Sequence, residues 1–506
     1  MKRYIYTLLL LFPFGLCAQN MYNYSSFFEN DLSGTARFVG LGGSMGALGG
    51  DISVMATNPA GIAIYRSNDV SYTGSFDFNT NTATFGNDVV KSRSTDFSTE
   101  NCGFVLSMSS DDDFVKFVNF GFSYRQKNNL SGEFDVCGLS DGFSQQYAMR
   151  QLFDMSKFDH NKLSYTMYES LGHSWLALLG AEASLKDDKG NFITDRDGYV
   201  IWEPTDWGYY SEERGGVKEI DLNLSCNIND RIYLGATLGI TNVDYDRYSY
   251  YFEADNNGEI YSLVNNYKIE GSGLDLKLGT IIRPFKYSPF RIGLAVHTPT
   301  WYSLENISSA SIADPYGNVI DTRDYELYND DLRTKSKLMT PWRFNASMAY
   351  TFGKYLAINA EYEYADYTKA EFMHNDITSR SQNVEIQRNM KEQHTYRVGA
   401  EFSYEGFSLR AGYNKITAPF ETSAYKDLEN AVVTETSTEY MNRYDKECVT
   451  LGAGYRGSSG LYFDVAYMLQ NQKSDFYPYY DNEVVNPCAT VEHRNQTVMA
   501  TIGIRF

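Results

Sequence analysis

Little in this sequence offers the parts of a catalytic or metal centre. Among 506 residues there are six cysteines, none in a Cys-x-x-Cys pair, and six histidines, none in a His-Glu-x-x-His pair. A zinc site or disulfide framework needs such paired, closely spaced ligands, so neither is expected, nor is any cofactor. No Ser/His/Asp arrangement is legible, and an enzyme is not expected. Beyond the first residues no apolar run reaches the roughly 18 needed for a membrane-crossing helix. Basic residues are also short, 44 Lys and Arg against 64 Asp and Glu, which makes nucleic acid an unsuitable partner.

The chain has 42 tyrosines and 31 phenylalanines with only 11 prolines, a composition suited to many strands ending in aromatic belts. It opens with Lys2 and Arg3, an apolar core from Leu8 to Leu16, and Ala18 before Gln19, the plan of a secretory leader. Residues 1–18 are therefore read as a signal peptide, whose loss takes the formal charge from −20 to −22.

From Val70 onward the period is two. Val70, Tyr72, Phe76 and Phe78 alternate with Ser71, Thr73, Ser75 and Asp77, separating an apolar face from a polar one. Such segments begin near Asn68, Asn101, Val115, Val217, Arg231, Lys268, Pro289, Pro341, Lys354, Glu392, Phe407, Asp445, Leu461 and His493, 14 in all. Each supplies the roughly 9–11 residues of a tilted membrane strand. Their connections alternate between tight turns, such as Asn229-Asp230 and Gly457 to Gly460, and long loops, such as Asn79 to Glu100 and Lys127 to Gly216. The pattern implies an all-β fold, a 14-stranded antiparallel transmembrane β-barrel over residues 67–506 with long extracellular loops. The end Ile502-Gly503-Ile504-Arg505-Phe506 resembles the aromatic-terminated signal read by the barrel-assembly machinery. Outer-membrane lipid would surround the wall, and one chain closing its own barrel implies a monomer.

One stretch fits no strand. Arg37 to Gly61, RFVGLGGSMGALGGDISVMATNPAG, is dense in glycine and closes on Asn58-Pro59-Ala60-Gly61, so it reads as tightly folded irregular chain. Residues 19–66 are assigned to a lumenal hatch, with Gly40, Gly42, Gly43, Asn58, Pro59, Ala60 and Gly61 as its hatch and gate residues. Both termini are expected at the periplasmic end.

Gly40-Leu-Gly-Gly-Ser-Met-Gly-Ala-Leu48, Asp51 and Asn58-Pro59-Ala60-Gly61 resemble the hatch of FadL-type outer-membrane transporters for long-chain fatty acids and other hydrophobic compounds. Arg291 to Pro299, and Pro341-Trp342-Arg343 leading to Glu361-Tyr362-Glu363-Tyr364, fit the same resemblance. It implies a plugged 14-stranded barrel in a Gram-negative outer membrane and passive uptake of a hydrophobic small-molecule ligand, long-chain fatty acids first, gated by the hatch. In that family a kink in the third strand opens the wall, and Asn119 and Gly121 are the candidate residues here.

Strand parity places Arg343, Arg397, Arg410 and His297 on the lumenal phase with Asp221, Asp275, Glu361, Glu363, Glu401 and Asp464. They form either an ion-pair network binding wall to hatch, or an arginine fork for a ligand carboxylate, with Arg343, Arg397 and Arg410 as candidates. In the loop 127–216 the period becomes helical: Gln145 to Phe153, then Tyr168, Leu171, Trp175, Leu178 and Leu179. The second stripe either packs the loop on itself or makes an outer landing surface for a lipid-like ligand. A surface receptor, for example for heme, or a structural barrel that transports nothing is the alternative function.

Overall fold

The alternation closes into a barrel. The computed structural model describes residues 21–28, 30–112, 114–140, 143–152, 175–182, 204–258, 260–315, 317–324, 331–374, 377–378, 380–428, 435–480 and 486–506. Fourteen antiparallel strands form the wall: β1 (Asp69–Phe85), β2 (Asp88–Ser109), β3 (Val115–Asn129, continued by Gly132–Leu139), β4 (Asp206–Ile228), β5 (Ile232–Ala254), β6 (Ile260–Ile282), β7 (Arg291–His297, continued by Trp301–Ala313), β8 (Leu332–Met339, continued by Arg343–Phe352), β9 (Leu356–Asp366, continued by Glu371–His374), β10 (Glu392–Tyr404), β11 (Phe407–Ile416), β12 (Tyr440–Arg456), β13 (Leu461–Tyr477) and β14 (Ala489–Arg505). β1 pairs with β14 from Asp69↔Arg505 to Thr84↔Thr490, so no edge is left open where the wall crosses lipid.

Parity sorts the side chains as expected. Leu234, Leu276 and Met348 face outward, whereas Thr237, Asp221 and Asp275 are buried inside. The tight turns fall where the sequence puts them, and Asn229 and Asp230 both take positive φ (53° and 54°), the pair required by a type I′ hairpin turn. An exposed aromatic ring, including Phe352, Tyr404, Tyr455 and Phe506, marks this end, and a second, including Phe76, Trp301, Trp342 and Tyr396, marks the outer limit of the apolar band.

The long connections are shorter than the sequence suggests. Asn79 to Glu100 is not a loop, because β1 and β2 run on to a turn at Gly86 with Phe85 opposite Asp88. β4, β5 and β6 reach 23 residues each, more than twice a membrane strand. Above the lipid both faces of a strand can be polar, so the apolar rhythm fades while the hydrogen-bond ladder continues.

β7 and β8 are interrupted at the same level, at Pro299 and Pro341. Thr340 N donates to Thr300 O (3.2 Å) and Thr300 N to Thr340 Oγ1 (2.8 Å), which ties the two breaks together. Proline lacks the ladder donor, and the paired irregularities switch the inward phase of both strands.

The lumen is filled by residues 21–66. α1 (Met21–Phe28) lies high, with Tyr24 5 Å from Phe372 (4.9 Å between ring centroids) and Tyr22 stacked on Phe420 at 5.2 Å. α2 (Ala36–Gly40) and two 3-10 helices, Ile52–Ala56 and Pro59–Ile64, follow as the chain descends. Asn68 and Phe506 then exchange backbone hydrogen bonds (3.0 and 3.1 Å) at the turn end. The chain's N-terminus lies outside the described residues; Met21, the first described residue, lies among outer-end side chains, because the hatch is long enough to traverse the lumen. The leader assignment to residues 1–18 lies outside the described residues.

In the outer loops α3 (Gln145–Gln151), α4 (Trp175–Glu182) and α5 (Arg380–Asn389) are helical.

Candidate substrate cavity and hatch seat

The hatch is seated by its own backbone. Asn58 caps the 3-10 helix by accepting from Ala60 N (3.2 Å), with Pro59 at the first helical position, and its Nδ2 donates to Gly46 O (2.8 Å) and to the wall at Thr280 O (3.2 Å). Gly42 and Gly43 have φ of 63° and 77°, and a Cβ on Gly42 would stand 2.8 Å from Tyr413 N of the wall. The wall reciprocates with glycine: Gly235, Gly279, Gly399 and Gly412 face inward where Pro59, Asn58, Leu41 and Gly42 leave no room for a Cβ. Gly40 meets Gly452, while Ala60 and Gly61 are buried within the hatch.

Wall side chains then hold the hatch carbonyls. Asn119 Nδ2 donates to Ile62 O (2.6 Å) and Tyr65 O (3.1 Å), and Asn223 Nδ2 to Pro59 O (3.2 Å). His297 Nε2 lies 2.9 Å from Thr57 O. Asn119 and Gly121 are therefore hatch contacts and not a wall kink. The ladder is intact there, Asn119 opposite Ser107 and Ser225, Gly121 opposite Val105 and Asn223. Asparagine at 119 supplies a donor, and glycine at 121 leaves room for the Met55 methyl.

The three candidate arginines are held by wall carboxylates. Arg397 pairs with Glu361 (2.7 Å) and Glu363 (3.2 Å), Arg343 with Glu363 (3.6 Å), and Arg410 with Glu401 and Asp464 (2.6 Å each). Arg37 of the hatch joins Glu401 at 3.0 Å, and Glu361 Oε2 accepts from Gly46 N at 2.8 Å. Of the two readings, the ion-pair network is the one the geometry supports, since none of the three arginines lines the cavity described below. A second buried network escaped the sequence reading. Lys277 contacts Glu219, Asp221 (2.8 Å) and Asp275 (3.1 Å), with Arg125 and Lys127 near Glu219 at 3.4 and 3.5 Å. Its signal was present, a lysine two residues from Asp275 on the lumenal phase.

Of the proposed landing residues, Tyr168 and Leu171 and the side chain of Leu178 lie outside the described residues. Trp175 and Leu179 are fully buried, Leu179 in a cluster with Leu176, Met149, Trp207 and Tyr261. These two pack the outer region on itself and do not present a landing surface.

Above the hatch lies a cavity of about 280 Å³. Its floor includes Tyr22, Ser26, Leu32 and Ser33 of the hatch; its sides include Asp77, Glu100, Asn129, Tyr209, Arg247 and Glu439. The cavity adjoins a place where the wall ladder fails. β2 and β3 pair only as far as Asn101↔Arg125, and beyond it Gly132–Leu139 pairs with β4 alone. Side-chain contacts bridge the break: Asp135 N to Ser92 Oγ (2.9 Å) and Asn129 Nδ2 to Asp96 (3.2 Å). The hatch borders it through Asn128 Nδ2 to Ser26 O (2.6 Å) and Asp31 N to Lys127 O (3.3 Å). The sequence signal was Lys127-Asn-Asn-Leu-Ser-Gly132, a polar run poor in strand formers.

A hatch filling a 14-strand barrel, with a cavity above it and a break beside the third strand, can be set against known folds. It superposes on a FadL homologue of Pseudomonas aeruginosa with TM-score 0.54 at 13% identity, over 93% of this chain and 98% of that one. The barrel has the FadL fold. The toluene transporter TodX of P. putida aligns with TM-score 0.50 at 12% identity, over 94% and 99%. No family profile and no curated protein matches the sequence. The interruption between β2 and β3 lies at Gln126 to Ser131, several residues outward of Asn119 and Gly121.

Proposed function

We propose that this protein is an outer-membrane channel for passive uptake of hydrophobic or amphipathic small molecules. The observation that carries the reading is the cavity between the hatch and the wall strands, next to the local break between β2 and β3. A solute reaching the cavity from the outer mouth could leave sideways between β2 and β3, where no backbone ladder joins the strands, without crossing a polar pore. The hatch closes the route to the periplasm, and its Ser26 and Asp31 border the break, so a small shift there would control passage. Long-chain fatty acids are the first solutes to test.

The closely seated hatch favours one alternative, a receptor or structural barrel whose plug never moves. Uptake of a labelled long-chain fatty acid and of a neutral alkane analogue by proteoliposomes, with and without the protein, separates the two. Transport predicts faster entry of at least one solute with wild type and slower entry when Asn129→Pro disturbs the break at matched protein levels. Equal entry with and without the protein would leave the receptor reading.

A further inference from the structure

The cavity has a chemistry of its own, which bears on the head group of the solute and rests on the uptake reading above. Six of its lining residues are acidic and four are Lys or Arg. The bases nearest the hatch are engaged: Lys446 with Asp31 at 2.8 Å and Arg247 with Glu439 at 3.2 Å. Asp77 and Glu100 are not. Among the described residues neither has an ion pair, although both are more than nine-tenths buried.

Glu100 is placed by a local device. Thr73 pairs with Asn101 but Gly74 with Thr99, so Glu100 is the extra residue of a β-bulge and lacks a partner across the ladder. A bulge re-aims a side chain, and this one points into the cavity. Glu100 Oε1 accepts from Ser75 Oγ (2.9 Å) and Ser98 Oγ (2.8 Å), which fixes the carboxyl plane. Among the described residues Oε2 has no hydrogen-bond partner. Asp77, on the adjacent strand and also lining the cavity, is held through Oδ1 by the Thr497 hydroxyl. The Asn495 and Asn129 side chains also offer hydrogen bonds to Asp77, and a buried carboxylate supported by neutral donors alone is costly until a cation meets it.

We infer that the cavity is a binding site for the cationic head group of an amphiphile, a primary ammonium being the simplest form, with Glu100 and Asp77 as its anchors. The pair attracts an ammonium and repels a carboxylate. A fatty-acid anion beside Glu100 and Asp77 would meet two carboxyl groups with no cation paired to either. Arg343, Arg397 and Arg410 lie outside the cavity, bound to wall carboxylates, and of the further arginines that line it Arg443 donates to Ser26 Oγ at 3.3 Å on the hatch side. The Glu100 and Asp77 side also carries Asn129 and adjoins the break between β2 and β3, so the head group would be held next to the gap.

The test uses the full chain in nanodiscs and three probes of equal tail length: dodecylamine, dodecanoate and dodecanol, titrated against empty discs. Wild type should bind dodecylamine at least tenfold more tightly than dodecanoate. Glu100→Gln and Asp77→Asn should each weaken dodecylamine about tenfold and leave dodecanol unchanged, while Glu100→Asp should keep part of the preference. Asp324→Asn, at an exposed outer position, should change nothing and controls for charge in general. Heat-modifiable gel mobility reports the folded barrel, and should Glu100→Gln fail to fold, Asp77→Asn carries the test. Equal or tighter dodecanoate binding by wild type, or an undiminished amine preference in the folded variants, overturns the proposal. Dodecanol binding without any amine advantage sinks this inference and leaves the uptake reading standing; no binding of any probe above empty discs sinks both.

Discussion

Removing the Glu361 carboxylate should loosen the hatch without dismantling the barrel. Glu361 makes three contacts: Oε1 with Arg397 Nη1 (2.7 Å) and with Asn345 Nδ2 (2.8 Å), and Oε2 with Gly46 N (2.8 Å). Only the last crosses from wall to hatch. Arg397 keeps Glu363 at 3.2 Å, so Glu361→Ala leaves that guanidinium with one carboxylate. The lost seating is therefore that of one hydrogen bond to a charged acceptor, about 1.5–3 kcal/mol. At about 1.4 kcal/mol per factor of ten, the unseated fraction should rise roughly 10- to 150-fold. Glu361→Gln retains an oxygen to accept from Gly46 and should move it less. The assay is single-channel conductance in planar bilayers combined with limited proteolysis of residues 21–66, the exposed outward variant Glu447→Ala serving as control. More frequent brief openings and faster hatch cleavage are expected in the order Ala, Gln, wild type. If Glu361→Ala conducts and resists protease as wild type does, with the barrel intact, Glu361 is not a hatch fastener and the reasoning fails.

Met348→Arg, between the exposed aromatics Trp342 and Phe352 and so near the middle of the lipid-facing band, should cost roughly 2–4 kcal/mol and lower the yield of folded barrel in membranes, measured by heat-modifiable mobility. Gly412→Val should displace the hatch, since no Cβ fits beside Gly42, and raise the accessibility of a reporter cysteine placed at position 43. On α5, outside the membrane, burial and the nearby Asp427 raise the Glu385 carboxyl to about 7. The folded protein then holds its proton more tightly than the unfolded chain, so stability falls as pH rises from about 4.5 through about 7 and levels above that. Chemical denaturation across this range should show the slope, and Glu385→Gln should flatten it.

Strand number, facing and turn positions were legible because lipid on one side imposes a strict period of two from Val70 to Ile504. The hatch was legible too, since no strand accommodates Gly40 to Gly50. What parity could not tell is that the lumenal face is packed. In the sequence Gly121 stood as a candidate for a wall kink, and only the descending hatch shows that Met55 fills the space of its missing side chain, as Pro59 does for Gly235. Long-range pairing likewise hid the fate of Arg343, Arg397 and Arg410, whose partners lie on neighbouring strands. Glu100 escaped because a bulge is one residue out of phase, and an out-of-phase residue looks like noise in a periodic count.

The 23-residue strands also set where solutes are met. With about 10 residues needed for the membrane and ~3.3 Å per residue, β4, β5 and β6 continue for some 40 Å along their own axes beyond the apolar band, roughly 30 Å of height at the usual tilt. The mouth thus stands clear of the bilayer like a chimney, well beyond the lipid head groups. The length of three strands sets how far from the membrane a molecule arriving from outside first meets this barrel.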